Sequence, residues 1–198
     1  MLAPELTLPN FKLNPSLKLG KSCVSSGINT YHEALNFVHK ISYGRNKNPE
    51  DYANVVKERR GTSSTKHTFL YALAKEHHIS SIKLMLGIYQ MHENNTPGCG
   101  AVLEAHNLPH LLEARVYLKC GGERYDFSFG GSRDPSWEDD LLTEKTIEPY
   151  QLGEHKLDLH RFYLKEWITR NKLPHKLTDI WRIREECIKA LSDTYRSE

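Results

Sequence analysis

Apolar residues recur along this chain in two rhythms, and the changes of rhythm mark its elements. Ala34, Leu35, Phe37, Val38 and Ile41 fall at helical spacing after Asn29 and Thr30. Either of those two can cap a helix that runs to about residue 41. Pro49 at a first helical position, followed by Glu50 and Asp51, predicts a second helix to about residue 59. After Gly61, the positions of Phe69, Leu70, Ala72 and Leu73 predict a third helix running towards Ile79. Residues 82–91 then form a short, almost continuous apolar run bounded by polar residues, the pattern of a buried strand. Residues 111–119 alternate. Leu112, Ala114, Val116 and Leu118 share one face, and Glu113, Arg115, Tyr117 and Lys119 share the other. Gly121-Gly122 predicts a tight turn, with residues 124–129 as the returning strand. Two helices over about 157–171 and 178–195 close the chain, the last with a core face of Ile180, Ile183, Cys187 and Leu191.

Between these elements the signal is weaker. Residues 1–28 are rich in Pro, Ser, Lys and Gly and read as an extended arm. Residues 92–108 read as a long connection, of the kind that often carries function. Residues 129–135 read as a loop, and 137–153 carry no clear pattern. The expected class is α+β: a central helix packed on an antiparallel sheet, with other helices around it. One domain is expected over 29–198, behind the arm of 1–28.

Composition narrows the function classes. The chain has 198 residues, 38% hydrophobic and 26% charged, which suits an ordinary globular domain. The net charge is only +2, with no block of five like charges, so neither a nucleic-acid stripe nor a polybasic membrane patch is expected. No apolar run approaches the length of a membrane span. The first ten residues lack the basic start and apolar core of a secretory signal. Cys23, Cys99, Cys120 and Cys187 are dispersed without CxxC spacing, which points to reduced thiols and a cytoplasmic location. His106 and His110 stand four apart, but Pro109 argues against the helix that would turn them to one metal ion. No phosphate-cradling glycine motif occurs, and Gly130-Gly131-Ser132 reads as plain loop.

The richest stretch for chemistry is Arg60-Gly-Thr-Ser-Ser-Thr-Lys-His-Thr-Phe-Leu-Tyr-Ala-Leu-Ala-Lys-Glu-His-His-Ile79. Hydroxyl side chains stand there at the mouth of a buried helix. Such a helix start offers free N–H groups and a partial positive charge, which favour a nucleophile or hold an oxyanion. The stretch resembles the core helix of the transglutaminase-like superfamily, a papain-like group with a Cys–His–Asp triad. Gly61 takes the family's glycine, Lys66 its lysine or aromatic position, and Leu70 and Leu73 its helix core. Val116-Tyr-Leu-Lys-Cys-Gly-Gly122 and Glu123-Arg-Tyr-Asp-Phe-Ser128 resemble the two strands that follow in the family. The likeness covers about residues 59–90 and 110–128, and leaves out the N-terminal arm and the last 60-odd residues.

The resemblance implies amide or related acyl transfer, with no cofactor and with a small-molecule, peptide or protein amide as substrate. It puts Ser63 at the nucleophile position, where the family has cysteine. It puts Asp126 at the position that orients the base. The family's histidine falls on Leu111, so His110 is the tentative base and His106, on the preceding loop, the second candidate. Each has a plainer reading. Ser63 or Ser64 can cap the helix, Asp126 can close a strand, and His110 can be a loop residue beside Pro109. Glu113 and Arg115 stand where the family has tryptophan and glutamate. Ser63 itself is open to three explanations: a serine variant of the triad, a member that binds without catalysing, or an engineered replacement of cysteine.

Overall fold

The computed structural model describes residues 7–48, 50–129 and 137–195. The class is α+β. Helices α1 (Lys18–Ser25) and α2 (Tyr31–Lys40) come first, then the two-residue strand β1 (Ser42–Tyr43), the short helix α3 (Asn54–Glu58) and strand β2 (Arg60–Gly61). The central helix α4 (Ser63–Glu76) leads into β3 (Lys83–Met91), α5 (Gly100–Ala105), β4 (Leu111–Cys120), β5 (Glu123–Tyr125) and β6 (Leu141–Ile147). Helices α6 (Glu154–Arg170) and α7 (Leu177–Thr194) follow.

Strands β5, β4, β3 and β6 lie side by side in that order as an antiparallel sheet. Strands β1 and β2 pair separately and in parallel, with Tyr43 opposite Gly61. Helix α4 packs on β4 and β3, and α6 packs on the same two strands. Most of α4 is buried, including Phe69, Leu70, Leu73 and Ala74.

Thr30 resolves the start of α2. Its side chain accepts from the Glu33 N–H, and the Glu33 carboxylate accepts from the Thr30 N–H at 3.1 Å, a reciprocal capping box. The alternation on β4 is present, but its polar face does not meet solvent. Glu113, Arg115 and Tyr117 are all buried, opposite Tyr89, Gly87 and Met85 of β3. Gly87 makes that face possible. A Cβ there would stand 2.7 Å from the Leu141 side chain and 3.1 Å from the Tyr117 ring.

Several expectations need correction. The stretch read as an extended arm contains α1. Its Leu19 and Gly20 N–H groups donate to the Glu76 carboxylate at the end of α4, each at 3.0 Å. The second helix shrinks to the five residues of α3, and Pro49 lies outside the described residues. The long connection contains α5, and the unclear stretch contains the edge strand β6. The returning strand ends at Tyr125 rather than Phe129, and Gly130-Gly131-Ser132 lies outside the described residues.

Candidate functional site

Helix α4 begins at Ser63, preceded by Thr62 in extended backbone. The Thr62 N–H donates to Thr65 Oγ1 at 3.0 Å. Thr62 therefore takes the cap, and both serines fall inside the first helical turn. The N–H groups of Ser63 and Ser64 consequently have no acceptor within their own helix. Lys66 crosses beneath this turn, fully buried, and its ammonium donates to the Ile41 and Ser128 carbonyls, both at 2.8 Å. Gly61 clears its path, because a Cβ there would sit 2.8 Å from Lys66 Cγ.

Asp126 reaches this helix start, but the histidines named above do not hold it. Its Oδ2 lies 2.7 Å from Arg115 Nε and its Oδ1 lies 3.4 Å from His67 Nε2. The Ser128 hydroxyl and N–H also donate to Oδ1. Burial alone would raise the Asp126 carboxyl. Arg115 first, with the two Ser128 donors, outweighs burial and holds it below the usual carboxylate range. The Arg115 guanidinium is itself caged by aromatic rings. Tyr89, Phe129 and Trp137 have their centroids 5.3, 5.2 and 5.3 Å from its central carbon.

His67 is fully buried. Its Nε2 accepts from the Phe127 N–H at 2.7 Å, which leaves Nδ1 as the donor to the Ser63 carbonyl, also at 2.7 Å. Burial pushes this imidazole down to about 4, against a smaller opposing pull from Asp126. With both ring nitrogens engaged, His67 clips α4 to the chain after β5 and offers no free lone pair to a serine hydroxyl.

His110 and His106 are turned to other partners. His110 lies against the Trp167 ring of α6, centroids 5.5 Å apart. His106 Nε2 pairs with Glu186 of α7 at 2.9 Å. Neither residue lines the cavities on which Ser63 opens. The structure thus brings Ser63 and Asp126 to one end of α4. It puts an arginine, which cannot act as a base at ordinary pH, in contact with the aspartate. No cysteine lines either cavity on which Ser63 opens, and burial pushes the Cys23, Cys99 and Cys187 thiols up to about 12.

Ser63, 9% exposed, stands between a void of about 20 Å³ beside Arg115 and a cavity of about 680 Å³. The larger cavity is walled by Ser64, Glu113, Lys156, His160 and Arg184. Glu113 receives a two-pronged contact from Arg184 at 2.7 and 2.8 Å. Burial alone would raise Glu113, but Arg184 first and then His160 bring it down to about 2. His160 donates from Nε2 to the Leu112 carbonyl at 2.8 Å. The Lys156 ammonium donates to Ser64 Oγ at 2.6 Å, and burial brings that lysine down to about 8. Lys156 also stands in the first turn of α6, where the helix dipole disfavours a cation. The rim carries Tyr150, 84% exposed, and Leu157.

The sequence reading placed Arg115 and Glu113 on the right face of β4 but gave them no role. It gave His67, Lys156, His160 and Arg184 no chemical role. One signal was available: His67 follows Ser63 by four residues, one helical turn. Among the described residues, no group of three or more His, Cys, Asp or Glu side chains is arranged to hold a metal ion, and no helix is long and apolar enough to cross a membrane. No protein-family model, no curated protein and no solved structure matches the chain.

Proposed function

We propose that this is a transglutaminase-like protein that binds an amide-bearing ligand in the cavity at the start of α4, without the family's Cys–His–Asp chemistry. The carrying observation is the 2.7 Å pair between Arg115 and Asp126. On this reading Ser63 stands where the family has its thiol, and Arg115 stands beside the aspartate where a base is needed. An arginine there fixes the charge of Asp126 and accepts no proton. A neutral serine at the helix mouth is left without a histidine to activate it. What supports binding is the cavity itself: polar groups line its wall, and Tyr150 and Leu157 give its rim apolar surface.

Two measurements test the reading. Wild-type protein should transfer no amine probe into a glutamine peptide, and Ser63→Cys alone should not create that activity, because Arg115 remains. Wild-type transfer that disappears in Ser63→Ala would overturn the reading. In parallel, a panel of small peptide amides should raise the melting temperature, and Tyr150→Ala should weaken that effect several-fold. A panel without effect on the wild type would remove the ligand half of the proposal.

A further inference from the structure

Ser64 and Lys156 form a second arrangement in the same cavity, independent of the triad positions. The hydroxyl and the amine are 2.6 Å apart, within hydrogen-bond reach. Ser64 is the second residue of α4, so an acyl oxygen over it would face the N–H groups of that helix's first turn. Both side chains are partly accessible and both line the cavity. Among the described residues, no carboxylate forms an ion pair with Lys156, and Glu113 is engaged by Arg184. We propose that Ser64 and Lys156 are a nucleophile and its general base, and that they transfer the acyl group of a small ester or activated amide. The proposal rests on the cavity being the ligand site and adds chemistry to it.

The step balances within the pair and water. Neutral Lys156 takes the Ser64 hydroxyl proton as Oγ bonds to the acyl carbon. The carbonyl oxygen becomes an oxyanion facing the first-turn N–H groups. The bond to the leaving group breaks, and that group takes the proton back from the Lys156 ammonium. Water then attacks the acyl-serine ester and gives a proton to Lys156. Ser64 Oγ departs and regains its proton, and the free acid is released. The charges around the amine are mixed. Glu113 favours its cationic form, while Arg184 and Arg45 disfavour it, and Glu50 lies further along the same cavity wall.

The test is covalent labelling of the full chain by a fluorophosphonate, which phosphonylates activated serines, read by intact mass and peptide mapping from pH 6.5 to 9.5. The expected result is one adduct, on Ser64. Its rate should rise about tenfold per pH unit below about 8 and level off above. Ser64→Ala and Lys156→Arg should each cut labelling at least a hundredfold. Lys156→Arg keeps a donor to the serine but supplies no base, so its melting curve checks that the fold survives. Labelling mapped to another residue, an unlabelled wild type, or a Lys156→Arg variant labelled at the wild-type rate would overturn the pair. An unlabelled protein that still responds to peptide amides would sink the pair and leave the cavity as a ligand site. A protein that does neither would sink both.

Discussion

A buried lysine is costly unless every proton on its ammonium finds an acceptor. Lys66 gives two of its three protons to the Ile41 and Ser128 carbonyls, which lie at the end of α2 and just after β5. It is a strut between two segments that the main sheet does not join. Lys66→Met keeps the bulk and leaves both carbonyls unpaired. Each buried unpaired group costs about 1–3 kcal/mol, so the variant should lose on the order of 2–6 kcal/mol in urea unfolding. A loss below about 1 kcal/mol would mean that water or another donor takes over. Residue-level legibility ends here as well. Alternation on β4 tells which face Arg115 occupies, but not what covers that face. A strand read alone presents Glu113 and Arg115 to solvent. Arg184 of α7 and Trp137, which bury them, are distant in sequence.

At the level of elements, α1 and α4 are joined by one carboxylate. Glu76 accepts from the Leu19 and Gly20 N–H groups in the first turn of α1, and His77 Nε2 accepts from the Asn14 N–H at 2.8 Å just before it. Gly20 suits this docking, since a Cβ there would fall 2.2 Å from the Asn14 carbonyl oxygen. Glu76→Ala should therefore speed amide hydrogen exchange over 18–25 by tenfold or more while leaving β3 and β4 protected. Equal acceleration throughout the chain would show that α1 is not a separate docking unit. Helices α2 and α7 could be read in advance because each has a strong period and a clear cap, and β4 because it alternates. Strand β6 lies at the sheet edge, with Leu142 facing outward and few of its residues buried, so its pattern stays faint. Helix α1 is only eight residues long, and its Gly, Ser and Lys content reads as loop composition.

Across the whole molecule, acid should loosen the fold before its carboxylates are neutralised. His67 binds a proton in the folded state only below about 4, against an ordinary value of 6.5. Between those limits the unfolded chain holds more protons than the folded one, so stability falls as pH drops through the window and is complete above it. Burial lowers His160 and His110 in the same direction. Melting temperatures should fall from pH 6.5 to 4, and the slope should be shallower in His67→Gln. That amide can reproduce both hydrogen bonds without titrating. An unchanged slope would assign the effect to the other histidines. The site belongs to this scale too. Its walls come from the chain around 43–52 and from α4, β4, α6 and α7, and no single stretch of sequence contains them.

The cage around Arg115 also limits how this protein can change over generations. Replacing the arginine first removes the countercharge of the buried aspartate; replacing Asp126 first removes that of the guanidinium. Removing one member of such a pair costs about 3–5 kcal/mol, a large share of the roughly 5–15 kcal/mol by which a domain of ordinary stability stays folded. Lineages carrying this pair should therefore keep both residues or lose both together. Position 63 neighbours the cage without sharing its charge, so a change there need not be matched by a change in the pair.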